Sequence, residues 1–205
     1  MKLFLLPKKN NASNKPVLIV SGLPRSGTSM MMRMLSAAGV PVLTDELRRP
    51  DDDNPNGYFE LEVVRQLKDG RIDWLKEANG KVVKVISSLL EYLPQDYHYK
   101  IIFMERDSRE TLASQKIMLD HRGEEAKLTD AEMEQQFQAH LAVMKPWLVR
   151  QPNMEVLYVN YNALMAEPEP FCERITDFLG VPLDQAQMRA VPDKQLYRNR
   201  AVTDE

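Results

Sequence analysis

The chain has 205 residues, 30 acidic against 27 basic, and a formal net charge of −3. Its 43% hydrophobic and 28% charged content is that of a soluble globular protein long enough for one domain with a sizeable core. The acidic balance gives no basic field of the kind that carries nucleic-acid binding, so any anionic ligand needs a local cluster of cations. The single cysteine, Cys172, excludes an internal disulfide and fits a reducing compartment; its place beside Phe171 and Ile175 predicts a half-buried helix residue. No stretch is apolar for long enough to span a bilayer. Residues 3–6 are apolar but stop at Pro7, Lys8 and Lys9, short of the ~7–15 residues of a secretory core. Residues 1–15 therefore read as an irregular lead-in, and the expected location is cytoplasmic, with no membrane partner.

Val17 to Val20 form an aliphatic run that leads into Gly22-Leu23-Pro24-Arg25-Ser26-Gly27-Thr28-Ser29 and then into the apolar helical pattern Met30 to Ala38. Buried strand, glycine-bounded turn and helix are the setting of a phosphate-cradling loop, in which amides at the helix start point at an anion. The spacing matches G-x-x-x-x-G-K-[ST] with one change. Thr28 stands where the lysine would be, and a cation, Arg25, lies three residues earlier.

Gly39 ends the helix, and Val40 to Leu43 predict a short extended segment. Residues 44–57 hold turn formers and charges without apolar period, so they read as a loop, with Asp51 to Asp53 a solvated face. Amphipathic helical patterns cover Leu61–Lys68 and Ile72–Ala78. Strands are expected at Lys81–Ile86, Lys100–Glu105 and Glu155–Asn160. Helices are expected at Arg109–Leu119, at Asp130–Val149 behind the capping pair Thr129 and Glu132, and at Pro168–Leu179 ahead of Gly180. The histidines His98, His121 and His140 fall in a loop and on helices, as surface or partly buried residues. Strands alternating with helices predict an α/β, P-loop-like three-layer fold, a parallel sheet flanked by helices, across residues 1–205 as a single domain with a tail at 191–205. Ligands in such sheets sit at the carboxyl ends of the strands.

Arg106 follows a strand directly, and Ser114 lies eight positions on. A guanidinium fork and a helix hydroxyl could grip a phosphate together. The same residues also read as an ordinary helix start, with Asp107 or Ser108 as N-cap and Glu110 in the first turn.

Taken together, Leu23 to Ser29, Arg106 with Ser114, and Val156 to Leu164 through Glu167-Pro168 to Phe178-Leu179-Gly180 resemble the sulfotransferase family, in order, over roughly residues 17 to 190. Leu23 to Ser29 is similar to the family's 5′-phosphosulfate loop, and Arg106 with Ser114 to its 3′-phosphate motif. The resemblance implies transfer of a sulfuryl group from 3′-phosphoadenosine 5′-phosphosulfate (PAPS) to an acceptor hydroxyl or amine. Pro24, Arg25, Ser26, Gly27, Thr28 and Ser29 would hold the 5′-phosphate; Arg106 and Ser114 would hold the 3′-phosphate. The loop looks most like that of the tyrosylprotein sulfotransferase branch. There a catalytic glutamate follows the arginine by 21 residues, which lands on Glu46, and a lysine ends the next strand, which Lys84 fits. The cytosolic branch has a histidine two residues beyond that lysine, where this chain has Ile86.

Cations aimed at the leaving 5′-phosphate oxygen can supply the stabilisation that Mg²⁺ supplies in kinases, so Arg25 and Lys84 are expected to act with no metal required. Glu46 is the expected base, with Glu60 the rival in Asn54-Pro55-Asn56-Gly57-Tyr58-Phe59-Glu60. Glu46 also reads as a solvated carboxylate paired with Arg48 or Arg49, and Glu60 as the first residue of a helix. Arg198 in the basic tail is carried as a 3′-phosphate contact, or equally as part of a solvated terminus. Two other readings stay open: a P-loop kinase or NTPase with Glu105 or Asp107 as the metal-binding acid, and a nucleotide-binding module without catalysis. The acceptor, whether small molecule, carbohydrate or peptide, and the oligomeric state are not legible.

Overall fold

The computed structural model describes residues 15–51, 54–55, 57–124 and 128–193. Four strands, β1 (Val17–Gly22), β2 (Val82–Lys84), β3 (Tyr99–Glu105) and β4 (Met154–Asn160), form one sheet in the order β2-β1-β3-β4. Every neighbouring pair is parallel. Among the described residues six α-helices accompany them: α1 (Thr28–Ala37), α2 (Ser108–Arg122), α3 (Asp130–Val149), α4 (Tyr161–Ala166), α5 (Glu169–Leu179) and α6 (Gln185–Arg189). The α/β architecture expected from the alternating pattern is the one observed.

The sheet is covered on both faces, and the period-2 alternation of its strands divides the core in two. Leu18, Val20, Ile102 and Met104 pack with Met31, Met32, Met34 and Leu35 of α1, Leu164 of α4, Cys172 and Ile175 of α5 and Met188 of α6. Val17, Ile19, Tyr99, Ile101 and Phe103 point the other way, onto Trp74, Leu75, Leu89 and Leu90 and onto Met144 and Leu148 of α3. Cys172 is fully buried rather than half-buried.

Elements with local signals lie where the sequence puts them. Helix α3 begins at the capping box of Thr129 and Glu132, and α5 ends at Gly180 in the left-handed region. The expected helices at 61–68 and 72–78 are instead 3₁₀ segments, Glu62–Asp69 and Asp73–Lys76. Their apolar residues pack onto the sheet over short spans, and the β-branched pair Val63 and Val64 weakens the α alternative. A further 3₁₀ turn, Ser87–Tyr92, and the short α4 and α6 carry no strong periodic signal and were not expected. Val42 meets the sheet only through an isolated parallel bridge to Val82. No described helix is long and apolar enough to cross a membrane.

The register positions the site. Gly22 is level with Met104, Glu105 with Asn160, and Val20 with Lys84, so the ends of all four strands open on one edge. From β1 the chain goes to β2 on one side and then to β3 on the other. The crevice above β1 and β3 is therefore a topological switch point.

Gly27 closes this edge against α4. Its φ is +96°, and a Cβ there would lie 2.3 Å from Cδ2 of Tyr161. Gly27→Ala is expected to cost ~1–3 kcal/mol in denaturant unfolding. The cost should be smaller in a Tyr161→Ala background, because the overlap is removed while the backbone strain remains.

Candidate active site

The turn between β1 and α1 is tight because two glycines permit it. At Gly22, φ is +146° and an added Cβ would fall 2.5 Å from Ser26 Oγ and 2.6 Å from the Met104 carbonyl oxygen. Arg25 holds φ +67° without being glycine. The Ser26 hydroxyl turns inward and donates to the Leu23 carbonyl at 2.7 Å, so this side chain stiffens the loop from within. Helices α2, α3, α4 and α6 are capped by the side chains of Asp107, Thr129, Asn160 and Asp184. Helix α1 has no side-chain cap among the described residues and no acid in its first turn. Its amide end is suited to an anion supplied from outside.

The loop after β1 and the segment from Arg106 to Ser114 interlock. Arg25 Nε donates to Ser114 Oγ at 2.9 Å, and Arg106 Nη1 donates to the Arg25 carbonyl at 3.2 Å. Arg106 Nε donates to Glu110 Oε2 at 3.0 Å, with the two side chains 8% and 2% exposed. Asn162 Nδ2 donates to the other Glu110 oxygen at 2.9 Å. The Arg106 guanidinium lies 4.5 Å from the Tyr161 ring centroid. Glu110 thus does more than favour a helix start: with Asn162 and Tyr161 it fixes the orientation of Arg106.

Across the cavity, Lys84 Nζ donates to the Tyr58 carbonyl at 2.9 Å and to Ser29 Oγ at 3.2 Å, and approaches Glu60 Oε1 at 3.5 Å. Arg48 Nη1 reaches Glu60 Oε1 at 2.9 Å, and Arg65 Nη2 reaches Oε2 at 3.0 Å. The Arg48 guanidinium stacks on the Tyr58 ring at 3.3 Å from its centroid, and the Tyr58 hydroxyl donates to Asp51 at 2.5 Å. Thr44 Oγ1 donates to the Glu60 carbonyl at 2.7 Å. Phe59, just before Glu60, has φ +53°, so the backbone presenting this carboxylate is strained.

These contacts set the charges. Burial pulls the Lys84 ammonium down to about 8, with Glu60 opposing the shift and Arg48 and Arg25 adding to it. Burial alone would raise Glu60, but Lys84, Arg48 and Arg65 outweigh it and hold the carboxyl below its ordinary value. Glu60 is therefore ionised at neutral pH.

Pro24, Arg25, Gly27, Thr28, Ser29, Lys84, Arg106 and Ser114 all line one cavity of about 400 Å³. Among the described residues six cations, Arg25, Arg33, Arg48, Arg65, Lys84 and Arg106, border it against two carboxylates, Glu60 and Asp193. An acidic chain thus concentrates positive charge where its strands end. Ser26 is absent from the lining. Glu46 is too: it is exposed, at φ +55°, with its amide bonded to Thr44 Oγ1. Counting from Arg25 thus reaches a turn beside the site, whereas Glu60 stands inside it, drawn in by three cations that no local pattern reveals. Arg198 lies outside the described residues.

The acids considered for metal binding are otherwise engaged. Asp107 caps α2 through the amides of Arg109 and Glu110, and Glu105 pairs with Lys145. Among the described residues no group of three or more His, Cys, Asp or Glu is placed to hold a metal ion. His121 borders the cavity, and His140 Nε2 lies 2.9 Å from Ser87 Oγ.

No match was found among curated protein sequences. Among solved structures the chain is similar to mouse sulfotransferase SULT7A1, complexed with PAP, at TM-score 0.59 and 17% identity over 94% of this chain and 69% of that one. It is similar to sulfotransferase STF1 from Mycobacterium tuberculosis H37Rv at TM-score 0.59 and 17% identity, over 90% and 72% of the two chains. It is also similar to the sulfotransferase domain of the Synechococcus PCC 7002 olefin synthase, at TM-score 0.50 and 16% identity over 95% and 86%. At these identities the likeness establishes a shared fold. The model of the sulfotransferase family matches residues 58–185, more than half the chain, from Tyr58 through Arg106 and Ser114 to the start of α6. This chain belongs to the sulfotransferase family.

Proposed function

We propose that this protein transfers a sulfuryl group from PAPS to an acceptor hydroxyl or amine. The observation that carries the reading is the convergence of Arg25, Lys84, Arg106 and Ser114 on one cation-rich cavity. The mouse structure of the same fold, complexed with PAP, supports a donor bearing a 3′-phosphate. Arg106 and Ser114 would hold that 3′-phosphate. Arg25, Thr28, Ser29 and the amide end of α1 would hold the 5′-phosphosulfate.

Negative charge grows on the 5′-phosphate oxygen as its bond to sulfur breaks, and Arg25 and Lys84 are fixed where they can meet it. Lys84 is suited to this because a partly desolvated ammonium binds an anion strongly. Glu60, ionised and 3.5 Å from Lys84, is the base in this reading, in place of Glu46. When Lys84 turns to the donor, Glu60 loses a cation and becomes a stronger base. With fixed cations meeting the donor's charge, transfer is expected to proceed without added Mg²⁺. Cys172, buried and without a disulfide, is consistent with a cytoplasmic location.

Calorimetry with 3′-phosphoadenosine 5′-phosphate (PAP) against ADP tests the donor. PAP is expected to bind more tightly by ~10²-fold or more, without Mg²⁺, and Arg106→Ala should erase the difference. Equal affinity, or tighter ADP binding that needs Mg²⁺, would overturn the reading in favour of a kinase. Tight PAP binding with no turnover on any acceptor would identify a non-catalytic module.

Turnover separates the two glutamates. Glu60→Gln is expected to lower kcat by ~10²–10⁴-fold and to remove the acidic limb of the pH profile, whereas Glu46→Ala should stay near the parent rate. The opposite pattern would restore Glu46 as base.

Lys84 also predicts a pH dependence with a definite sign. The charged ammonium binds the donor, and in the free protein it loses its proton near pH 8, facing Glu60, Arg48 and Arg25. PAP affinity should be level around pH 7 and fall by up to ~10-fold per pH unit above 8. The ligand's own phosphates are already ionised there, with second pKa values near ~6. Lys84→Met should bind more weakly and show a flat profile.

A further inference from the structure

The cavity has a wall that the donor's charges do not use. Glu60 is followed by Leu61 and Val64, and Lys84 by Ile86 and Leu89; all four side chains line the cavity. Val64 and Leu89 belong to the core beneath the sheet, and Leu61 and Ile86 are half-buried against that same core. Met118 and the 40%-exposed Ile117 continue the lining from α2. Apolar surface thus extends out of the core beside the pair that handles the acceptor proton. A cavity rim that leaves such side chains open marks a surface meant to be covered.

We infer that the acceptor is a hydroxyl carried on an apolar ring or chain, seated against Leu61, Val64, Ile86, Leu89 and Met118 beside Glu60. The inference rests on the sulfuryl-transfer reading of the site. In the reaction the acceptor oxygen bonds to sulfur as the bond from sulfur to the 5′-phosphate oxygen breaks. The hydroxyl proton passes to Glu60, and PAP and a sulfate ester leave.

The wall discriminates by what it withholds. Each sugar hydroxyl buried there without a partner would lose its hydrogen bonds to water. The lining offers two exceptions: Gln115 Oε1 and Arg48 Nη2 are buried with no hydrogen-bond partner among the described residues, and they suit one donor and one acceptor group on the bound molecule. An acidic peptide finds little reward either. Arg65, next to Val64, and Arg48 both bond Glu60, so their charge serves the base.

The test uses the full chain and three acceptors at equal concentration: 2-naphthol, N-acetylglucosamine and a tyrosine peptide with flanking acids. PAP binding is measured first, since its failure would count against the sulfuryl-transfer reading rather than against the wall. With PAP bound, 2-naphthol is expected to bind measurably, and with PAPS its kcat/KM should exceed the others by ~10²-fold. Ile86→Asn and, from a separate element, Met118→Asn should each raise the KM for 2-naphthol by ~10-fold or more while PAP affinity stays unchanged. Ile86→Val should remain close to the parent. Failure of 2-naphthol to bind the PAP-loaded protein, preference for the sugar or the peptide, or an unchanged KM in both Asn variants would overturn the inference.

Discussion

The buried pairing of Arg106 with Glu110 organises the edge on which the site stands. Arg106 directly follows β3 and Glu110 lies in the first turn of α2, so the pair ties a strand to the helix that follows it. Both side chains have left water, and such a pair holds only if the remaining hydrogen-bonding capacity is met. Asn162 meets the second Glu110 oxygen, the Arg25 carbonyl takes an Arg106 N–H, and the Tyr161 ring covers the guanidinium. One ion pair thereby fixes the loop after β1, the start of α2 and the start of α4. Removing either partner would strand a charge in a nearly dry place, at a cost of ~3–5 kcal/mol.

The loop built on this anchor stores strain in a small area. Among the described residues, the non-glycine positions with positive φ are Arg25, Glu46 and Phe59, all in the loop or in the segment facing it. Such backbone persists only where its surroundings over-determine it. For Arg25 the surroundings are Ser114 on its side chain and Arg106 on its carbonyl; for Phe59 they are the bonds to Tyr58 and Glu60 on either side.

Charge is arranged with equal economy. The protein is acidic as a whole, yet six cations face one cavity. Burial depresses the proton affinity of Lys84, and the crowded cations Arg48 and Arg25 add to the shift. Glu60 relieves the crowding by bonding three of them, Lys84, Arg48 and Arg65. A carboxylate in that position is a counter-ion, and an incoming anion would compete with it for the same cations.

The sequence by itself determined the parts whose causes are local. The aliphatic run ending at Gly22, the capping box at Thr129 and the stop at Gly180 specify strand, helix start and helix end through neighbouring residues alone. The spacing of Arg25 from Thr28 and of Arg106 from Ser114 made the family resemblance legible for the same reason. The 3₁₀ segments after residue 61 were misread as α-helix because their apolar period is real while their geometry is set by packing on the sheet. Counting along the chain led to Glu46, but which glutamate enters the cavity is decided by Arg48, Arg65 and Lys84, which meet Glu60 only in the folded chain. Likewise Glu110 looked like an ordinary first-turn acid until Asn162, 52 positions away, closed its second oxygen. Periodicity and caps act over one or two turns and can be read in order. Ion pairs and apolar walls join distant segments, so only the parallel register that brings four strand ends to one edge decides them.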